Sequence, residues 1–302
     1  MWFKNLQIYR FTRPFELTAE ALEPLLKNLL FVPCGSQEMS KFGFVSPFGR
    51  ESDLLVHEAQ GQLLLCAKRE DKLLPGPVVK EALQERIDQL EADQGRALKK
   101  KEKEALKDEV LMQLLPRAFT RTSQTHLWIN AQDNYLVVDA GSAKKADDVL
   151  SLLRKAIGSL PVVPLSLTDP AEITMTEWLN AGAAPGSFVL EDEAELRSAL
   201  EHGGIIRCKQ QDLTTEEIKV HLLADKLVTK LALNWAETVS FVLGDDLGIK
   251  RLKFSEELRE QNDDVVSEDK AARLDADFSL MTGELGRFIP ELITALGGEK
   301  AE

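Results

Sequence analysis

Two stretches, "DLLVHEAQGQLLLCAKRE" and "TSQTHLWINAQDNYLVVDAG", set the tightest limit on the fold. The first turns near Gly61 and the second at Asp133-Asn134, with apolar runs of strand length on either side. Gly and Asn accept the positive backbone angles that tight turns require, so each stretch reads as an antiparallel hairpin. "LQIYRF" near the start reads as a further strand. "LTAEALEPLLKNLL" predicts a helix capped by Thr18, with Pro24 early enough to be tolerated or to mark a kink. "SAKKADDVLSLLRKAIG" predicts another, capped by Ser142 and stopped by Gly158. The prolines of "LPVVPL" confine it to an edge strand, because proline cannot donate to a central ladder. The first half is therefore α+β, with antiparallel strands.

Between the hairpins, Pro75 to Arg117 changes period. Val79, Leu83, Ile87 and Leu90 form an apolar stripe at helical spacing, Pro77 suits a first helical turn, and Gly95 reads as a break. A second helix then runs to "VLMQLLP", so an inserted helical hairpin is expected. In the second half, "SFVLED" predicts a strand, "EAELRSALEHGG" a helix and "IIRCKQQD" a strand. "TTEEIKVHLLAD" predicts a helix with a capping box built on Thr214 or Thr215. "LVTKLALNW" and "TVSFVLGDDLGIKRLKF" predict a three-stranded meander, and Arg259 to Gly298 a mostly helical end.

With 44% hydrophobic and 29% charged residues, the 302-residue chain has the composition of a globular protein. No apolar run reaches the roughly 18–20 residues of a membrane span. The N-terminal "MWFKNLQIYRF" alternates apolar and polar residues and lacks a signal-peptide core. Cys34, Cys66 and Cys208 contain no CxxC and fit buried thiols of a reducing cytosol. Four scattered histidines suggest no metal site. The net charge of −13 is unevenly placed. Ser255 to Glu302 carries 13 acids and 5 bases, whereas Arg96 to Arg121 carries 8 bases and 4 acids. An acidic protein can still bind a polyanion if its bases are focused on one surface.

The focus is "LKKKEKEALKDEVLMQLL". On a helix Lys99, Lys103 and Lys107 fall on one column, which Leu106, Val110 and Leu114 nearly continue. The column is charged at its start and apolar at its end, as in a helix that projects outward first and is buried later. Lys100 with Glu104, and Glu104 with Lys107, are expected local pairs, each worth a few tenths of a kcal/mol. Lys99, Lys103 and Lys107 repel one another, which a polyanionic partner would relieve. A solvated face and an acidic protein partner are the competing readings. Lys100 and Lys101 belong to the same cluster. Arg117 and Arg121 bracket Phe119, Arg207 and Lys209 alternate with Cys208, and Arg251 and Lys253 alternate with Leu252. Phosphate contact requires only such diffuse positive charge, without special spacing.

Catalytic signatures are sparse. Neither GxGxxG nor GxxxxGK[ST] occurs. Cys34 in "PCGSQ" has no base nearby in sequence, and a buried thiol is the simpler reading. Asp245-Asp246, Asp263-Asp264 and Asp275 with Asp277 raise a metal-dependent nuclease, but the first pair sits in a turn and no histidine accompanies the others. Trp2, Trp128, Trp178 and Trp235 are spaced as core residues rather than stacking platforms. No catalytic residue, metal or cofactor is expected.

The strings "MWFKNLQIYR", "FVPCGSQEM", "LKDEVLMQLLPRAFTRTSQTHLWI", "SAKKADDVLSLLRKAIGSLPVVPLS", "KRLKFSEELREQN" and "DADFSLMTGEL" occur in order along the whole chain. Together they resemble the recombination-associated RdgC family. That resemblance implies a bacterial, cytoplasmic, nucleoid-associated, non-enzymatic DNA-binding protein. It implies binding of duplex without marked sequence preference, with single strands a further partner, and antagonism of the RecA recombinase. It implies a ring-shaped homodimer with a positively lined hole, built from a central α+β domain (1–74 and 118–168), a helical tip (75–117) and a base (169–302). Under it, the basic residues named above become candidate DNA contacts and Phe119 a candidate dimer contact, against the alternative of a core Phe. A module binding RecA directly, and a nuclease, stand as the other functional readings.

Overall fold

The computed structural model describes residues 1–49, 51–200, 203–262 and 269–300. Asp263-Asp264 and His202 lie outside the described residues. The first sheet is antiparallel, in the order β2 (Ser40–Val45), β4 (Gln62–Leu73), β5 (Phe119–Asn130), β6 (Tyr135–Val138), β1 (Gln7–Phe11), β7 (Val162–Pro164). The strand β3 (Val56–Ala59) pairs with the first residues of β4, and β2 with its last. Gln60 and Gly61 both take positive φ between β3 and β4, as the tight turn requires. The proline-bearing β7 lies at the sheet edge.

The helices α1 (Ala19–Lys27) and α4 (Ala143–Ile157) cover one face of this sheet. Each is capped as expected, Thr18 accepting from the Ala21 N–H and Ser142 from the Lys145 N–H. Leu22, Leu26, Val149, Leu150 and Leu153 meet Leu63, Leu65, Leu127 and Ile129 there. The other face carries Leu64, Trp128 and Val137 into a second and larger core, shared with the C-terminal half.

That half holds a five-stranded antiparallel sheet, in the order β12 (Ile249–Phe254), β11 (Val239–Gly244), β10 (Lys226–Trp235), β8 (Phe188–Ser198), β9 (Ile205–Lys209). The helices α5 (Ala171–Ala181) and α8 (Lys270–Ala295) supply Met175, Trp178, Phe278, Met281, Leu285, Phe288 and Ile289 to its core. The α8 residues recur at helical spacing. The shorter α6 (Glu216–Leu223) and α7 (Glu256–Glu260) complete this half.

Two backbone straps join the halves. Leu6 and Ile249 exchange both N–H···O bonds, at 2.9 and 3.0 Å, and the Leu252 N–H donates to Lys4 O. The N-terminal chain therefore closes the β12 edge before it enters the first sheet as β1. At the other end the Lys300 N–H donates to Ser166 O at 3.1 Å, and Arg10 pairs with Glu299.

The structure corrects two expectations here. "EAELRS" belongs to the strand β8 and is not helical. Its helix-forming residues alternate, Ala194 and Leu196 inward against Glu193, Glu195 and Arg197, and pairing with β9 and β10 on both sides overrides helix propensity. Thr215 does precede α6 but makes no side-chain cap. Its hydroxyl donates to Asp212 O, while Thr214 bonds Asp212 Oδ1.

Candidate nucleic-acid interface

Between β4 and β5 the chain forms α2 (Gly76–Gln94) and α3 (Lys100–Leu114), and Gly95 breaks the helix in the left-handed conformation. Ion pairs Glu91–Lys103 and Arg86–Glu109 cross between the helices, so the two run antiparallel. Ile87, Leu98 and Leu106 form their small core, flanked by Leu83 and Leu90. At the root, Lys72 Nζ donates to Leu115 O and Ser36 O, both at 2.8 Å, tying the pair to the sheet.

The lysine column is less uniform than its spacing suggests. α3 begins at Lys100, and Lys99 is the extended residue before it. Lys103 shares the seam with Leu106 and Val110 and reaches Glu91 at 3.2 Å. Glu91 also accepts from the Leu98 N–H, and these two contacts lower its pKa, the backbone donor contributing most. The expected pairs Lys100–Glu104 and Glu104–Lys107 do not form. Instead Glu102 binds Arg96 at 2.7 Å and accepts from the Lys99 N–H, which holds its carboxyl at about 2. The shape of the turn at Gly95 thus sets the charge pattern, placing Arg96 over the start of α3. Lys99, Lys100, Lys101 and Lys107 are left exposed, with no ion pair among the described residues.

Arg117 follows in a short 3-10 turn, and Arg121 sits on β5 across from Asp71, which is itself held by Arg69. Both arginines are exposed without ion pairs among the described residues. Phe119 lies between them, 82% exposed, in register with the half-exposed Leu73. The core reading of Phe119 is thereby excluded.

The candidate cations of the C-terminal half stand in a different setting. On the outer face of the five-stranded sheet, Arg207 Nε donates to Glu195 at 2.8 Å, and Lys230 Nζ reaches the same oxygen at 3.0 Å. Arg251 donates to Glu193 at 2.8 Å, and Lys209 lies 4.0 Å from the same carboxylate. Lys253 lines a shallow cavity of about 180 Å³ with Glu191, Glu193 and Arg251. Burial alone would raise the Glu195 pKa, but Arg207 and then Lys230 bring it to about 2. The structure thus brings Arg207, Lys209 and Arg251 together around carboxylates and leaves Lys99, Lys100, Lys101 and Lys107 bare. Glu193, Glu195 and Lys230 were missed at the sequence level. Their signal was the alternation in "LEDEAELR", masked by the helical reading.

Three of the described residues in the acidic pairs have structural partners. Asp246 accepts from the Gly248 N–H in its turn, Asp275 faces His57, and Asp277 pairs with the N-terminal ammonium. Among the described residues no group of three or more His, Cys, Asp or Glu side chains is arranged to hold a metal ion. Cys66 and Cys208 are buried as expected, and Cys34 is partly exposed. Trp128, Trp178 and Trp235 are core residues, and Trp2 packs against the larger core. No helix among the described residues is long and apolar enough to cross a membrane.

Comparison with known proteins places these features in context. The profile of the family described as "RdgC: Putative exonuclease, RdgC" matches residues 1–299. The chain is 77% identical over 302 residues to the recombination-associated protein RdgC of Tolumonas auensis, covering 100% of both chains. It is 72% identical to the namesake from Aeromonas hydrophila, over 99% of each, and 60% identical to that of Edwardsiella ictaluri, over 100% of each.

Proposed function

The chain belongs to the RdgC family, and from that premise we propose that it acts in DNA recombination as a non-enzymatic, sequence-independent DNA-binding protein. The observation that carries this reading is the bare cation cluster. In a protein of net charge −13, Lys99, Lys100, Lys101, Lys107, Arg117 and Arg121 are exposed along one helix and its root without ion pairs among the described residues. Such a surface binds phosphate by counterion release and reads no bases. Duplex is the principal partner and single strands a second. Two copies form a ring in which the exposed Phe119 patch is one self-complementary contact, the helix pair is the tip and the C-terminal half the base. The ring encloses duplex and limits the DNA open to RecA. Its place is the cytoplasm, on the nucleoid, and it uses no cofactor.

The words "putative exonuclease" in the family description keep a nuclease as the second reading. One experiment addresses both. Purified protein is titrated against random-sequence duplex, as linear and as closed circles, across a salt series with and without magnesium. The expected result is a steep, sequence-indifferent salt slope, slower release from circles and intact DNA throughout. Magnesium-dependent loss of DNA would establish the nuclease. Absence of binding at low salt, with a stable RecA complex formed without DNA, would establish the direct-interaction reading.

A further inference from the structure

On β8 Glu193 and Glu195 point to one face, because successive strand residues alternate, and Glu191 lines the same shallow cavity as Glu193 across an irregularity in the β8–β10 ladder. A step of two residues in the regular part of the strand sets Glu193 and Glu195 about 6.6–6.8 Å apart. Cations flank this row on both sides. Lys209 and Arg207 stand across from Glu193 and Glu195 on β9, and Lys230 stands across from Glu195 on β10. Arg251 reaches Glu193 from β12. The depths differ. The Glu195 side chain is 7% exposed, while those of Arg207 and Lys209 are 66% and 65% exposed. The carboxylates therefore lie at the floor of the face and the cations rise above them. Arg207 spends its Nε on Glu195, and its terminal NH2 groups have no partner among the described residues. Arg197 also lies 3.9 Å from Glu195. A phosphate can reach the free NH2 groups of Arg207 from outside, but it meets five cations already partly neutralised by two carboxylates.

We propose that Glu193 and Glu195 are built-in competitors for the phosphate backbone of duplex DNA, and that they hold this face below its full cationic capacity. The inference rests on the DNA-binding reading above. Its consequence is that this part of the surface aligns guanidinium groups toward phosphate while holding the strand loosely. Arg207 and Arg251 are oriented by the carboxylates that attenuate them. The salt bridges are not simple stabilisers, because an exposed cation paired to a floor carboxylate trades orientation for strength.

The test is duplex binding over a salt series with the full-length protein, wild type against Glu193→Gln, Glu195→Gln and the double variant. Each cation freed to neutralise one phosphate steepens the slope of log K on log salt by about 0.9. Between about 50 and 200 mM salt, each freed cation therefore increases the loss of affinity about threefold. The expected outcome is tighter binding at low salt and a steeper slope for each Gln variant, with the double variant steepest. Glu193→Asp, which keeps the charge, should stay at the wild-type slope. Arg251→Gln should weaken binding more in the Glu193→Gln background than in the wild type. Glu195 is buried, so if its Gln variant fails to fold, the Glu193 variants and the Arg251 cycle carry the test. Wild-type binding with unchanged Glu193→Gln affinity and slope would overturn the inference alone. A wild-type protein that binds no duplex at low salt would overturn the DNA-binding reading with it.

Discussion

At the scale of single residues, the polar groups near the shared core make stability depend on pH. His126 lies on β5 beside Phe3, with ring centroids 6.4 Å apart. Burial, and then the nearby N-terminal ammonium and Lys145, lower its pKa to about 4 from an ordinary value near 6.5. The unfolded chain therefore binds a proton that the folded chain refuses over this interval. Stability is full above about 6.5 and falls as pH drops toward 4. We predict that His126→Gln flattens this part of the pH profile, removing about 1–3 kcal/mol of its decline. Urea midpoints at pH 7, 5.5 and 4 measure it, and an unchanged profile would assign the acid sensitivity to other groups. Below about 4.5 a second loss sets in. Glu195, held at about 2 by Arg207 and Lys230, contributes stability above its unfolded pKa that disappears as pH falls through its folded value.

At the scale of elements, the helix pair is the least supported part of the chain. Its core comprises Ile87, Leu98 and Leu106, whereas the sheets rest on two much larger clusters. Leu106→Ala should cost about 2–3 kcal/mol, at the lower end for a buried leucine. That cost should appear as local opening, because few contacts couple α2 and α3 to the sheets. Hydrogen exchange is expected to lose protection across 76–114 while β4 and β5 keep theirs, and uniform loss would show one cooperative unit. Legibility follows the same divide. The hairpin at Gly61, the caps Thr18 and Ser142, and the break at Gly95 were readable because each rests on local backbone chemistry. β8 was not, since Glu, Ala, Leu and Arg favour helix locally and only the pairing partners make "EAELRS" a strand. The site divided likewise. Sequence spacing located the lysines, but the ion pairs of Lys103, Arg207 and Arg251 join different elements, and which residues face each other depends on how those elements pack.

At the scale of the whole molecule, the proposed function separates into an electrostatic and a topological part, and different residues govern each. The electrostatic part belongs to the bare cations. Replacing Lys99, Lys100 and Lys107 with Gln should weaken binding to all sequences alike and reduce the salt slope by about 2–3. Lys103→Gln should reduce it by less than the roughly 0.9 expected of each free lysine, because Lys103 is held by Glu91 in the helix seam. A full reduction of about 0.9 would mean that DNA breaks that pair on binding. The topological part belongs to Phe119, whose ring lies 82% exposed beside Leu73 at the root of the helix pair. An apolar side chain so exposed between two arginines adds nothing to phosphate contact, and its burial against a second copy would hold a ring closed. Phe119→Ser removes the apolar side chain from the proposed contact without adding a charge beside Arg117 and Arg121. Short linear duplex should still bind with a salt slope near the wild type, while retention on closed circles falls to the level of linear DNA. Sedimentation at micromolar concentration should show the dimer opened or dissociated. If circles are instead retained as in the wild type, Phe119 plays no part in closure and the contact lies elsewhere on the chain. If binding to short linear duplex collapses as well, encirclement is not separable from affinity, and the cation cluster acts only when two copies present it together.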